Sequence, residues 1–107
     1  MNLQPPIAAY FDADRRGAVE AVTGAFAPDA TVVDEGHAYV GGEAISGWWS
    51  ETKSRYQTVL QPLNVREGAE ATVVRARVSG AFPGSPAVLT FAFQLEANRI
   101  KTLEIGA

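Results

Sequence analysis

The chain has 107 residues, with nine Lys and Arg against twelve Asp and Glu, a formal net charge of -3 and no cysteine. A chain this long fits one core, so the expected organisation is a single domain over residues 1–107. The slight negative charge gives no general attraction to nucleic acid or an anionic membrane, and the missing cysteine excludes disulfides, thiolate metal sites and cysteine nucleophiles.

The opening Met1 to Tyr10 carries neither the positive region nor the continuous apolar run of a secretory signal. No stretch approaches the ~20 apolar residues of a membrane span. A cytoplasmic location is therefore expected, with no membrane and no nucleic-acid partner.

Leu3, Ile7, Tyr10 and Phe11 recur at helical spacing after Pro5 and Pro6, predicting a helix from about Pro5 to Arg16 that breaks at Gly17. Arg15 and Arg16 suit the negative end of its dipole. Val19, Val22 and Phe26 continue the spacing, so a second short helix is expected to run through Phe26 and end at a Pro28-Asp29 corner. Thr31, Val32 and Val33 then favour a strand. Alternation places Val32 and Asp34 on one face and Thr31, Val33 and Glu35 on the other, so a core-facing Val32 turns Asp34 toward the same apolar interior.

Gly36 and His37 suggest a turn before a brief return strand, Ala38 to Val40, and Gly41-Gly42 breaks the pattern. A third helix from Glu43 carries Ile45, Trp48 and Trp49 inward, with Glu51, Lys53, Ser54 and Arg55 on its wet side. The second half alternates instead. Thr58 to Glu67 reads as a strand with Val59, Leu63 and Val65 on one face, and Pro62 marks an edge or a bulge. Ala71 to Phe82 puts Val74, Ala76, Val78 and Phe82 on one face and Arg75, Arg77 and Ser79 on the other. Leu89, Phe91, Phe93 and Leu95 alternate in the next strand, and Ile100 to Ile105 forms the last. Helices followed by consecutive antiparallel strands predict an α+β fold, with a curved sheet closing over a helical layer.

Ala9-Tyr10, Val19-Glu20-Ala21, Phe26 through Asp34, Tyr39 through Ile45, and Asn98-Arg99-Ile100 carry a resemblance. With them the chain resembles the nuclear transport factor 2-like (cystatin-like) superfamily, in its SnoaL-like polyketide cyclase and ketosteroid isomerase-like branch, which implies a cone-shaped, curved, antiparallel or mixed sheet wrapped around three amino-terminal helices. The resemblance also implies that Tyr10 and Asp34 stand where ketosteroid isomerases carry an oxyanion-hole tyrosine and a catalytic aspartate. The late-strand aspartic acid of that family has no counterpart, because the matching region is Leu89-Thr90-Phe91-Ala92-Phe93.

By that resemblance Asp34 would take a proton from carbon beside a carbonyl and Tyr10 would hydrogen-bond the enolate oxygen. Ketosteroid isomerase is itself the standard worked case of such carboxylate tuning. Val32, His37, Trp48, Phe82, Phe91 and Phe93 are the expected ligand-binding residues around this pair. The expected ligand is a small hydrophobic molecule, with a ketone as the candidate substrate, and neither a cofactor nor a metal is expected. A homodimer is expected by resemblance.

Other readings of these residues stay open. Asp34 is also read as a strand-end carboxylate paired with Arg75 or Arg77, Tyr10 as a core aromatic, and His37 as an exposed turn residue. The same scaffold also suits a non-catalytic sensor, or an interaction module whose pocket is filled by Trp48, Phe82, Phe91 and Phe93.

Overall fold

The computed structural model describes residues 1–107. Helix α1, Pro5–Arg16, starts with proline in its first turn, where a missing N–H costs nothing, and ends on Gly17 in the left-handed region. Ile7, Tyr10, Phe11 and Asp14 all lie on its buried side. Helix α2, Val19–Gly24, is shorter than the sequence suggested. Phe26 belongs instead to strand β1, Phe26–Asp34, and Pro28 lies inside that strand rather than at a corner. The pairing of β1 shifts register between Phe26 and Thr31, and such an irregularity accommodates a residue with no amide proton.

Strand β2, His37–Val40, pairs back on β1 through the turn residues Glu35 and Gly36, with φ of 52° and 76°. Two central residues with positive φ make the turn whose twist matches a hairpin. Helix α3, Gly42–Tyr56, follows, then β3 (Val59–Glu67), β4 (Thr72–Ser79), β5 (Ala87–Glu96) and β6 (Arg99–Gly106). The six strands form one curved, open sheet in the order β2-β1-β6-β5-β4-β3, with β1 and β6 parallel and the other pairs antiparallel. This is the α+β architecture expected, with helices packed on the concave side.

Two details depart from the alternation read in the sequence. Val59 is exposed and Leu60 turns inward; a register shift between Pro62 and Asn64 then brings Val65 back toward the core on this edge strand. Strand β4 ends at Ser79, so Phe82 is a loop residue, and its ring meets Tyr56 edge-on at 6.1 Å. The loop is held there by Ala81 N–H donating to the Tyr56 carbonyl at 2.7 Å.

Gly80 permits this approach, since a Cβ on it would come within 2.6 Å of the Tyr56 carbonyl oxygen. Gly80→Ala should cost about 1–3 kcal/mol as backbone shifts to relieve the clash, read as a lower urea midpoint. An unchanged midpoint would mean that the loop is free to move away.

Candidate functional site

The sheet register sets out the site in rows. Val32, Leu103, Phe93 and Thr72 are aligned across β1, β6, β5 and β4, and all four are buried beneath the helices. The next row is Asp34, Ile105, Phe91 and Val74. Its first three members open onto a cleft of about 600 Å³. That volume suits a small organic ligand. The carboxylate thus sits at the end of an apolar row, two residues beyond Val32 on the same face.

Asp34 is half-buried, and the indole N–H of Trp48 donates to its Oδ2 at 3.0 Å. Trp48 comes from α3, so this bond ties the end of β1 to the helix and holds the carboxylate by one oxygen. Arg75 and Arg77 are exposed on the outer face of the sheet, and the Arg77 guanidinium lies 3.5 Å from the Gln61 side-chain oxygen. Pairing of Asp34 with either arginine is thereby excluded.

Tyr10 enters the same cleft from α1. It is 1% exposed, with its ring edge-on to Phe11, Phe26 and Phe93. No fully buried polar side-chain atom in the protein lacks a hydrogen-bond partner, and the Tyr10 hydroxyl has none within the chain. It must therefore reach the cleft surface. Burial pushes its phenol well above the ordinary value, and the nearby carboxylates of Asp14 and Asp34 push it further. The group is held as a neutral donor.

A third polar station went unread in the sequence. The Asp14 side chain is 4% exposed and Lys53 19%. Asp14 accepts from Trp49 Nε1 at 2.8 Å and from Lys53 Nζ at 2.7 Å. The Lys53 ammonium also donates to the Thr58 carbonyl and lies 5.7 Å from the centre of the Trp49 ring. Lys53 is thus not on the wet side of α3, as expected, but on the cleft wall. A signal was present: Asp14 falls one turn beyond Tyr10, and Lys53 one turn beyond Trp49, each continuing a buried stripe. Charged residues near helix ends read more readily as solvated, and the link between α1 and α3 is not visible from either segment alone.

Of the expected ligand-binding residues, Trp48, Phe82 and Phe91 line the cleft. Val32 and Phe93 lie in the deeper row, behind the wall. His37 pairs with Asp34 across the hairpin but is exposed and outside the cleft. Glu35 corrects the alternation: its positive φ takes it out of strand geometry, and it lines the cleft beside Asp34 instead of facing the opposite way. No three His, Asp or Glu side chains converge as a metal cluster. The aromatic rings leave a cleft open beside Asp34. No helix is long and apolar enough to cross a membrane.

The sequence profile of the SnoaL-like domain matches residues 7–101. Among solved structures, a candidate polyketide cyclase from Sinorhizobium meliloti is 43% identical, with 96% of this chain and 94% of that one covered and a TM-score of 0.94. A protein of ketosteroid isomerase-like fold from Catenulispora acidiphila, in complex with trimethylamine, is 19% identical over 99% of this chain and 87% of that one, with a TM-score of 0.85. TerC, co-crystallised with polyporic acid, is 18% identical over 94% of this chain and 87% of that one, with a TM-score of 0.78. No curated protein matches the chain in sequence.

Proposed function

The chain belongs to the SnoaL-like domain family, and from that premise we propose that its cleft binds a small, largely apolar carbonyl compound and moves a proton on it. Asp34 Oδ1 takes a proton from carbon next to the carbonyl, leaving an enolate whose oxygen receives a hydrogen bond from Tyr10. Return of the proton to a different carbon completes an isomerisation; attack of the enolate carbon on a second carbonyl closes a ring, as in a cyclase, the C=O π pair moving onto that oxygen, which takes the proton back from Asp34. The single observation that carries this reading is that the Tyr10 phenol, with no partner in the chain, and an indole-anchored carboxylate line one largely apolar cleft.

Each part suits its role. Trp48 holds one carboxylate oxygen and leaves the other free, while Phe91, Leu89 and Ile105 supply an apolar floor. A likeness to a candidate polyketide cyclase at 43% identity adds to the cyclase branch of the reading, and the trimethylamine and polyporic acid complexes indicate that this scaffold admits small organic guests.

The test is exchange of the α-protons of small cyclic ketones and diketones in D2O, followed by NMR. Exchange above the buffer rate is expected, and Tyr10→Phe should slow it by about 10²- to 10³-fold, the usual cost of one oxyanion donor. Protein-independent exchange across the panel would sink the proton-transfer reading. If bound apolar probe is also absent, the pocket reading goes with it.

A further inference from the structure

We propose that Lys53 is a second donor of this cleft, binding the anionic oxygen of an enolate- or phenolate-type ligand beside Tyr10. The inference rests on the reading of the cleft as a ligand pocket and adds to it the charge of the ligand it takes. The late strand supplies no acid: its run is Leu89-Thr90-Phe91-Ala92-Phe93, and the Thr90 hydroxyl donates to the Gly106 carbonyl. A donor arrives from α3 instead.

Two helical repeats bring the groups together. Asp14 follows Tyr10 by one turn on the buried side of α1, and its Oδ1 is 2.7 Å from Lys53 Nζ. Tyr10, Asp14 and Lys53 all line the one cleft. An ammonium has three protons to donate. Asp14 and the Thr58 carbonyl take two, and Trp49 walls one side. The third is left for the cleft that Lys53 lines. A side chain ordinarily free to swing is thus held at its tip by acceptors on α1 and on the loop between α3 and β3, the arrangement a preorganised donor requires.

The charges sharpen the assignment. Asp14, Asp34, Glu35 and Lys53 are the charged side chains on the cleft wall, and Lys53 is the one cation among them. Asp34 stands on β1 and Glu35 in the turn that follows it, whereas Tyr10 and Lys53 come from the two helices. A carbonyl ligand has a matching asymmetry, with an acidic C–H on one side and an oxygen that gains charge on the other. The preferred ligand is one whose oxygen already ionises readily, such as a β-dicarbonyl enol or a phenol.

Naphthalene and 2-naphthol separate shape from charge. For the intact protein, 2-naphthol should bind with an ionised fraction, read from its absorbance, well above that in buffer at the same pH. Lys53→Met leaves Asp14 buried without its cation, so the informative variant is the double change Asp14→Leu with Lys53→Met, which removes the pair together. It should retain naphthalene and lower the preference for naphtholate by roughly 10- to 100-fold, the scale of a hydrogen bond to a charged group. Asp14→Asn, which frees the ammonium from its counter-charge, should raise that preference instead.

Equal binding of naphthalene and naphtholate in the intact protein and both variants would overturn Lys53 as a donor while leaving the pocket standing. So would a parallel loss of both ligands in the double variant, the mark of a purely structural ion pair. Failure of the intact protein to bind either compound would overturn the pocket and this inference together.

Discussion

Asp34→Asn is expected to lower turnover of an accepted ketone by about 10²- to 10⁴-fold, the usual contribution of a positioned general base. The substitution is close in size and shape. Its side-chain oxygen still accepts from the Trp48 indole, whose bond to Asp34 is 3.0 Å, so the tie between β1 and α3 survives. What is lost is the charge and basicity of the second oxygen. A phenol that mimics the enolate should bind the variant at least as well, because a negative charge facing the cleft has gone. The measurement is single-turnover exchange of the α-proton, paired with phenol titration of the same preparation. Unimpaired exchange in a variant that still binds phenol would remove Asp34 as the base and leave a ligand-binding cleft without that chemistry.

How far the sequence reaches toward this site depends on whether a signal is local. The run from Phe26 to Asp34 carries its own alternation, so the inward turn of Asp34 could be read from Val32 alone, and the structure places both on the concave face. Tyr10 was legible for a similar reason, through its spacing from Ile7 and Phe11. Val32 and Phe93 show the limit. Alternation gives the face of a strand but not the depth of a row, and these two align with Leu103 one row below the cleft floor. Phe82 reaches the mouth from a loop rather than from β4, because Gly80 lets the chain turn against the Tyr56 carbonyl. Glu35 escaped because a turn resets the alternation that a strand would impose. The Trp48–Asp34 and Trp49–Asp14 bonds join residues 14 and 35 positions apart, and no periodicity encodes a partner at that distance.

The Asp14–Lys53 contact also governs stability. Lys53→Ala should destabilise the protein by about 3–5 kcal/mol, as breaking one side of a buried ion pair does elsewhere. The cost arises mainly from what remains. Asp14, with its side chain 4% exposed, would keep the Trp49 indole as a donor but lose the cation that offsets its charge. The Thr58 carbonyl would lose its ammonium donor as well, at the point where the chain leaves α3 for β3. Against a typical total of about 5–15 kcal/mol for a domain, such a loss is severe. By contrast, Asp14→Leu combined with Lys53→Met should recover most of it, since replacing both charges with apolar groups removes the unpaired carboxylate along with its desolvation cost. Urea unfolding of Lys53→Met, Asp14→Leu and the double variant closes the cycle. A coupling near zero would mean that water already reaches Asp14 and that the pair stabilises no more than an exposed one. A coupling of several kcal/mol would establish that the bond from Lys53 to Asp14 joins α3 to α1 at the wall of the cleft.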